Sequence, residues 1–396
     1  MLNENERKII DFIESKKYKY ININKFLYDN PETSNLEFKA SDILTKELDK
    51  NGFDVRRDIA GHKTGFVASK KSSKTGPKIV FLAEYDALPN IGHGCGHNII
   101  ASSGILSGVA IGEMIEELGG EVFVYGTPAE EGGDNGSAKA SFIRDGYADN
   151  IDVALMIHPS SKTAPTTNGL ALDPIDVEFF GKPAHAAASP EDGINALDAV
   201  VLLFNGINAM RQQLKDDIRI HGIILEGGVA PNIIPEYTKA RFFVRAKKRV
   251  DVDETMRKFK AIVEGASLST GCTNKISYFQ NQIDDILHND IFDQVFGKSL
   301  EKIGCSFDTN ERQNIGSSDM GNFSYVVPTI QPTIKIGDDL VQHTTKFRDA
   351  TISEMGEKAI VIGSKALALT ALALYENNEL LREIKKYFET SKITNK

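Results

Sequence analysis

The chain has 396 residues, of which 41% are hydrophobic and 26% charged, with a net charge of −9. That length supports two domains and a sizeable core, and the composition is that of a globular protein. An acidic balance without a basic stripe makes nucleic acid and anionic membrane surfaces unexpected partners.

The opening stretch MLNENERKIIDFIESKK interleaves charges with single apolar residues, so no signal peptide is expected there. A first helix should stop near Asn30-Pro31, because a residue before proline avoids helical geometry. A second is expected over 34–50, with Gly52 as its stop. FDVRRDI, TGFVAS and KIVFLA read as strands, the last apolar throughout like a strand covered on both faces. Helix (98–118), strand (EVFVYG), helix (137–145) and strand (DVALMIH) then alternate, the pattern of an α/β domain with a mainly parallel central sheet. Within it, the apolar run 99–115 reads as a buried helix, too short and too rich in Gly, Ala and Ser for a membrane span.

From about Pro174 the texture changes. IDVEFF and YTKARFFVRA read as half-exposed strands, and Ile194, Leu197, Val201, Phe204, Ile207 and Leu214 keep helical spacing between them. A further amphipathic helix over 253–268 precedes the strand KISYF, which together make a compact α+β insert. About Asp284 the chain returns to the first domain and ends on an Ala/Leu helix over 353–375. The expected domains are therefore 1–173 with 284–396, and 174–283. Three cysteines, Cys95, Cys272 and Cys305, are an odd number without close pairing. They point to a reducing, cytoplasmic setting and not to a disulfide framework.

Chemistry concentrates in a few stretches. IGHGCGHNII places His93, Cys95 and His97 at alternate positions between glycines. A thiolate and an imidazole two residues apart on a bent loop can face one point, and they suit zinc or a neighbouring transition metal. The same residues also allow a tight turn with incidental histidines, or a reactive thiol. GTPAEEGG sets Glu130 beside Glu131 just past an apolar strand. Neighbours on an extended backbone point to opposite sides, so one could bind metal while the other acts as a base. His158 ends a buried strand and His343 lies in a polar loop. Taken singly they read as a satisfied core histidine and a surface one. FLAEYD, VYGTPAEE and LMIHP each put acidic or histidine residues where α/β sites gather. Since the chain has only eight histidines, four in such contexts favour one shared site.

Together AEYDALPNIGHGCGHN, GTPAEEGG, MIHPS, GKPAHAAASPEDGINALDAV, GGVAPNIIPEYTKARFFVRA and SSDMGNFSYVVPT resemble the M20 family of metallopeptidases. The resemblance is to its subfamily D, with N-acyl amino acid amidohydrolases and aminobenzoyl-glutamate hydrolases; aminoacylases are related. It follows the chain in order over most of its length. It implies a zinc-aminopeptidase-like α/β catalytic domain with an inserted α+β lid or dimerisation domain. It also implies two divalent metal ions, zinc favoured over manganese by the thiolate. By matching motif, Cys95, His97, Glu131, His158 and His343 would be ligands, Glu130 the general base, and Asp86 the group that orients a ligand and tunes the water. Glu84 stands where much of the family has a histidine ligand. The Cys-Gly-His pair takes over that duty in this branch, so Glu84 has no assigned role, and His93 is left as loop support.

In the insert, the resemblance gives His185 the task of stabilising an oxyanion, and Asn232 and Arg245 that of holding a substrate carboxylate. For Arg245, as for Arg241, a solvent-facing position on a strand is the alternative. The implied function is hydrolysis of an amide bond in an N-acyl amino acid or short peptide with a free carboxylate. A homodimer through the lid is expected, with a larger homo-oligomer open. Competing readings are an aminopeptidase or endopeptidase on larger peptides, and a non-catalytic metal-dependent binding protein on the same fold. The Glu130–Glu131 pair speaks against the last.

Overall fold

Apolar spacing builds the first layer. In the computed structural model, which describes residues 2–309, 312 and 316–394, α1 (Glu4–Asp29) buries Ile9, Ile13, Tyr20 and Leu27 along one face. It opens on a capping box in which the Asn3 and Glu6 side chains each accept from the other's backbone N–H. α2 (Phe38–Lys50) begins later than its spacing suggests. Leu36 N–H closes a turn on the Thr33 carbonyl, and Asn35 at φ 63° lies in the left-handed region, which a helix cannot continue through.

Next come β1 (Asp54–Ile59), β2 (His62–Lys71), β3 (Lys78–Ala83), α3 (His97–Leu118), β4 (Glu121–Gly126), α4 (Ala138–Arg144), β5 (Val153–Leu155) and β6 (His158–Ser160). β7 (Ala171–Phe180), α5 (Ala196–Arg211), β8 (Arg219–Glu226), β9 (Tyr237–Ala246), α6 (Arg249–Thr270) and β10 (Thr273–Tyr278) follow. The chain closes with α7 (Asp290–Lys302), α8 (Met320–Ser324), β11 (Thr329–Ile330), β12 (Thr333–Lys335), α9 (Thr345–Ala350), α10 (Glu354–Glu376) and α11 (Asn378–Thr394). They fold as two compact units, one of 1–168 with 286–396 and the other of 169–285.

The first unit holds a six-stranded sheet in the order β1-β2-β4-β3-β5-β11. β4, β3, β5 and β11 are parallel, while β2 runs antiparallel to both β1 and β4, so the sheet is mixed and mainly parallel. The stretch DVALMIH is not one strand. β5 stays in the sheet beside β3, whereas His158 opens β6, which pairs with β12 in a separate two-stranded ladder. That break carries His158 past the end of the sheet. α3 is buried nearly all round and packs on β3, β4, α1 and α10. A Cβ on Gly108 would sit 2.3 Å from a Val124 methyl, so only glycine lets the helix lie so close to β4. α3 and α10 are each long and apolar enough to cross a membrane, and α3 is longer than the run 99–115, but most of both is buried inside this unit.

The second unit is an antiparallel sheet in the order β10-β7-β9-β8, with α5 and α6 packed on it. On β9, alternate residues Thr238, Ala240, Phe242, Val244 and Ala246 are buried, the period-2 signature of a sheet with one covered face. β8, which the sequence pattern does not reveal, forms one edge with Ile223, Ile224 and Leu225 exposed.

Candidate metal and catalytic site

Three parallel strands deliver the site. The chain leaves β3 into Glu84-Tyr85-Asp86, leaves β4 into the turn bearing Glu130 and Glu131, and leaves β5 into His158. This is the carboxyl edge of the sheet, where α/β folds place their ligands. The glycine loop supplies the rest. Gly96 at φ 83° turns the chain into α3, and any Cβ there would lie 2.4 Å from Pro159. Cys95 is thereby set against β6, its Sγ 3.6 Å from His158 Nε2, and His97 becomes the first residue of α3.

His97 is the hub. Its Nδ1–H donates to Asp86 Oδ1 at 2.9 Å and lies 3.0 Å from the Asp86 carbonyl. Nε2 is thereby turned toward Glu84 Oε2 (3.3 Å), Glu130 Oε2 (3.8 Å) and Glu131 Oε1 (4.0 Å). Both carboxylates of the pair therefore face one imidazole. Their expected divergence to opposite sides does not occur, because Glu130 and Glu131 lie in a turn and not in the extended backbone that expectation needs. His343 reaches the same place from the second segment of this unit. Its N–H donates to the Gly94 carbonyl at 2.9 Å and its Nε2 lies 3.5 Å from Glu131 Oε2.

The five expected ligands thus come together. Donor atoms of Cys95, His97 and His158, and those of Cys95, Glu131 and His343, lie within 4.8 Å of one another. His97, Glu130 and Glu131 form a third such group. His97 Nε2 and Glu131 Oε1 are buried without a hydrogen-bond partner, which suits atoms that wait for a cation. His158 donates its Nδ1–H to the Pro159 carbonyl at 2.8 Å, leaving Nε2 toward Cys95. His93 is buried, belongs to none of these groups, and neither ring nitrogen has a hydrogen-bond partner of good geometry.

Protonation follows from burial against charge. Burial opposes ionisation of Asp86, but His97 and the Glu131 amide outweigh it and hold the carboxyl down at about 2. Burial likewise opposes a charged His97, yet Asp86, Cys95 and Glu84 keep it protonated well above the usual imidazole range. Burial lowers His158 to about 4. Burial, with Glu131 beside it, pushes the Cys95 thiol well up. Glu130 is pushed well above the usual carboxyl range by burial and by the charges of Glu84 and Glu131.

Glu84, left without a role by its motif, belongs to a buried triad. Lys139 Nζ lies 2.5 Å from Glu84 Oε1 and 2.5 Å from Asp319 Oδ1, and the Lys139 N–H donates to Asp319 Oδ2 at 3.0 Å. Glu84, Glu130 and Asp319 gather their oxygens as closely as the ligand groups do. Sequence reasoning missed Lys139 and Asp319. The one available signal was a lysine among small residues at the start of an apolar helix.

In the second unit, His185 and Asn232 lie on neighbouring loops. Ala186 N–H donates to the Asn232 carbonyl at 3.1 Å, and His185 bridges to Ile233. His185 Nδ1 accepts from the amides of Ala187 and Ala188, both at 3.2 Å, so the proton of a neutral ring sits on Nε2. Arg245 is on β9 opposite Leu172 and Arg219, with a buried Nε that has no partner. Arg241, by contrast, is committed. It makes a two-point ion pair with Asp176 at 2.7 and 2.9 Å and stacks 3.9 Å from the Phe279 ring centroid.

A mixed α/β domain with thiolate, imidazole and carboxylate donors at its strand ends, interrupted by an antiparallel insert, defines a metallohydrolase architecture. Residues 174–270 match the Peptidase dimerisation domain. The chain is 34% identical to the Xaa-Arg dipeptidase of Mus musculus over 93% of its own length and 88% of that protein. It is 28% identical to one of the subunits of the p-aminobenzoyl-glutamate hydrolase of Escherichia coli K12, over 96% and 94% of the two chains. Among solved structures, a Bacillus subtilis dinuclear metal-binding peptidase of the M20 family superposes with a TM-score of 0.67 at 18% identity, covering 92% of this chain and 99% of that one. The protein belongs to the M20 peptidase family and is a hydrolase of that family.

Two expectations follow. Because the metal-free site holds protons on Cys95 and His97, loading it releases them, so Zn²⁺ affinity should rise at least about tenfold per pH unit between pH 6 and 8. Competition with a chelator at stepped pH measures this slope, and a flat profile would remove these two groups from the ligand set. Lys139→Met leaves two buried carboxylates without their cation and should destabilise the fold by about 3–5 kcal/mol, read as a lowered denaturation midpoint.

Proposed function

We propose that this protein hydrolyses the amide bond of a dipeptide or N-acyl amino acid bearing a free carboxylate, with two divalent ions for which zinc is preferred. The observation that carries the reading is the convergence of Glu130 and Glu131 on His97 Nε2, where His97 is shared with the Cys95–His97–His158 group and Glu131 with the Cys95–Glu131–His343 group. Of these, Cys95, His97, Glu131, His158 and His343 would hold the ions, the thiol favouring zinc. Bound there, the ions would supply a water of lowered pKa and a positive charge for the carbonyl oxygen.

Glu130 fits the base because it is the carboxylate of the pair that the ligand groups can spare. It takes a proton from the attacking water and returns it to the departing amine. Asp86 fixes His97 through Nδ1 and the Glu131 backbone through its N–H, so ligand and base keep one orientation. A His185 that carries its proton on Nε2 suits donation to an oxyanion. The uncommitted Arg245 Nε suits a substrate carboxylate, with Asn232 as a further donor. The dipeptidase and aminobenzoyl-glutamate hydrolase relatives support a small amide substrate.

A homodimer is supported by the dimerisation-domain match over 174–270. The edge strand β8, with Ile223 and Ile224 exposed at 60% and 44%, is the face proposed for it, because an unpaired edge beside apolar side chains is costly to leave in water.

Glu130→Gln should lower kcat by about a thousandfold on a dipeptide panel while elemental analysis finds the parent's metal content; unchanged turnover would end the base assignment. Ile223→Asp together with Ile224→Asp should shift sedimentation from dimer to monomer, and a dimer that persists would move the interface elsewhere.

A further inference from the structure

Ala129, immediately before the glutamate pair, is a fully buried non-glycine residue at φ 58°. A residue with a Cβ occupies the left-handed region at a cost, and it does so only where its surroundings over-determine it. Two hydrogen bonds do that here. The Ala129 carbonyl accepts the Ser137 N–H at 2.6 Å, and the Ala129 N–H donates to Glu37 Oε1 at 3.0 Å.

Glu37 is itself completely buried and spends its other bonds locally. Oε1 also accepts the Asn35 N–H at 2.8 Å, and Oε2 accepts the Thr64 hydroxyl at 2.7 Å. The residues ahead of it reach the same loops. Ser34 Oγ donates to Asp86 Oδ2 at 3.2 Å, and Asn35 Nδ2 donates to the Asp134 carbonyl at 2.8 Å. The turn before α2 thus ties three points of the site together, and no catalytic motif contains it.

We infer that Glu37 is a positioning residue: by holding Ala129 left-handed through its N–H, it sets the direction in which the Glu130–Glu131 turn leaves the preceding backbone and so keeps both carboxylates beside His97. Without that bond, Ala129 relaxes toward a negative φ, which swings the whole Glu130–Glu131 turn away from His97. Burial beside Asp86 pushes the Glu37 carboxyl up to about 7. The bond to Ala129 needs only an acceptor oxygen, so a glutamine amide oxygen can replace it. The consequence for the base rests on the hydrolytic reading above; the consequence for the ligand Glu131 does not.

The test uses the full chain with Glu37→Gln, Glu37→Ala, Ala129→Gly and the double variant Glu37→Ala/Ala129→Gly. Zn²⁺ affinity is measured by chelator competition, and kcat and KM are measured on a dipeptide. Glu37→Ala should weaken the weaker Zn²⁺ site at least tenfold and lower kcat about a hundredfold with KM within about threefold. Glu37→Gln should stay within about threefold of the parent in both.

The deciding arm is the double variant. Glycine takes a positive φ without the Cβ penalty, so Ala129→Gly should recover at least tenfold of what Glu37→Ala loses. A residue that served only general stability would gain nothing from a second, loosening substitution. Should Glu37→Ala fail to fold, recovery of folding by Ala129→Gly supports the inference on the same logic. A double variant no better than Glu37→Ala, or a Glu37→Ala protein with the parent's affinity and kcat, overturns it. A parent that binds Zn²⁺ but hydrolyses nothing ends the hydrolytic reading, while the affinity arms still decide this one.

Discussion

Everything in the first unit is arranged around the cost of burying carboxylates together. Glu84, Asp86, Glu130, Glu131 and Asp319 crowd about His97 and Lys139, the three innermost almost without exposure. In such a setting an ionised group must be paired or must take up a proton. Lys139 is the one permanent cation in the cluster, and two carboxylates consume it. His97 is drawn into its charged form by the rest, and Glu130 and Glu131 respond by holding protons more tightly. The excess of acidic groups suits the cluster to a cation. Lys139 pairs with Glu84 and Asp319, and not with Glu130 or Glu131.

Much of this was legible in the sequence, for identifiable reasons. β3 and β4 announce themselves as short apolar runs, and the polar residues just beyond them mark the strand ends where sites form. Cys95, His97 and His158 are chemically distinctive enough to be picked out singly. What stayed hidden depends on backbone conformation or on contacts distant along the chain. Nothing in GTPAEEGG shows that the two glutamates will themselves form a turn, so divergent glutamates are the natural expectation. Lys139 meets Asp319 across 180 residues, and neither residue type is unusual where it stands. β8 escaped notice because its apolar residues face outward, which breaks the alternation that reveals a half-buried strand.

The resemblance and the physical reading also carried different parts. The quoted motifs lie far apart along the chain, and the fold brings donor atoms of Cys95, His97, Glu131, His158 and His343 into overlapping close groups. The resemblance had no account of Glu84, and the structure supplies one that needs no metal at all. A glutamate paired to a buried lysine is neutralised locally, so the position can change from histidine without leaving an orphaned charge beside the site.

The second unit differs from the first in its charged and polar groups. Around His97 the first unit gathers mainly acidic groups: the carboxyls of Glu84, Asp86, Glu130 and Glu131 and the Cys95 thiol. Lys139, a strong donor there, has two of its three N–H groups committed to the carboxylates of Glu84 and Asp319. The second unit carries groups of the opposite kind. Its sheet commits Arg241 to Asp176 but leaves Arg245 Nε unpaired, and backbone amides fix the His185 tautomer so that Nε2 presents a proton.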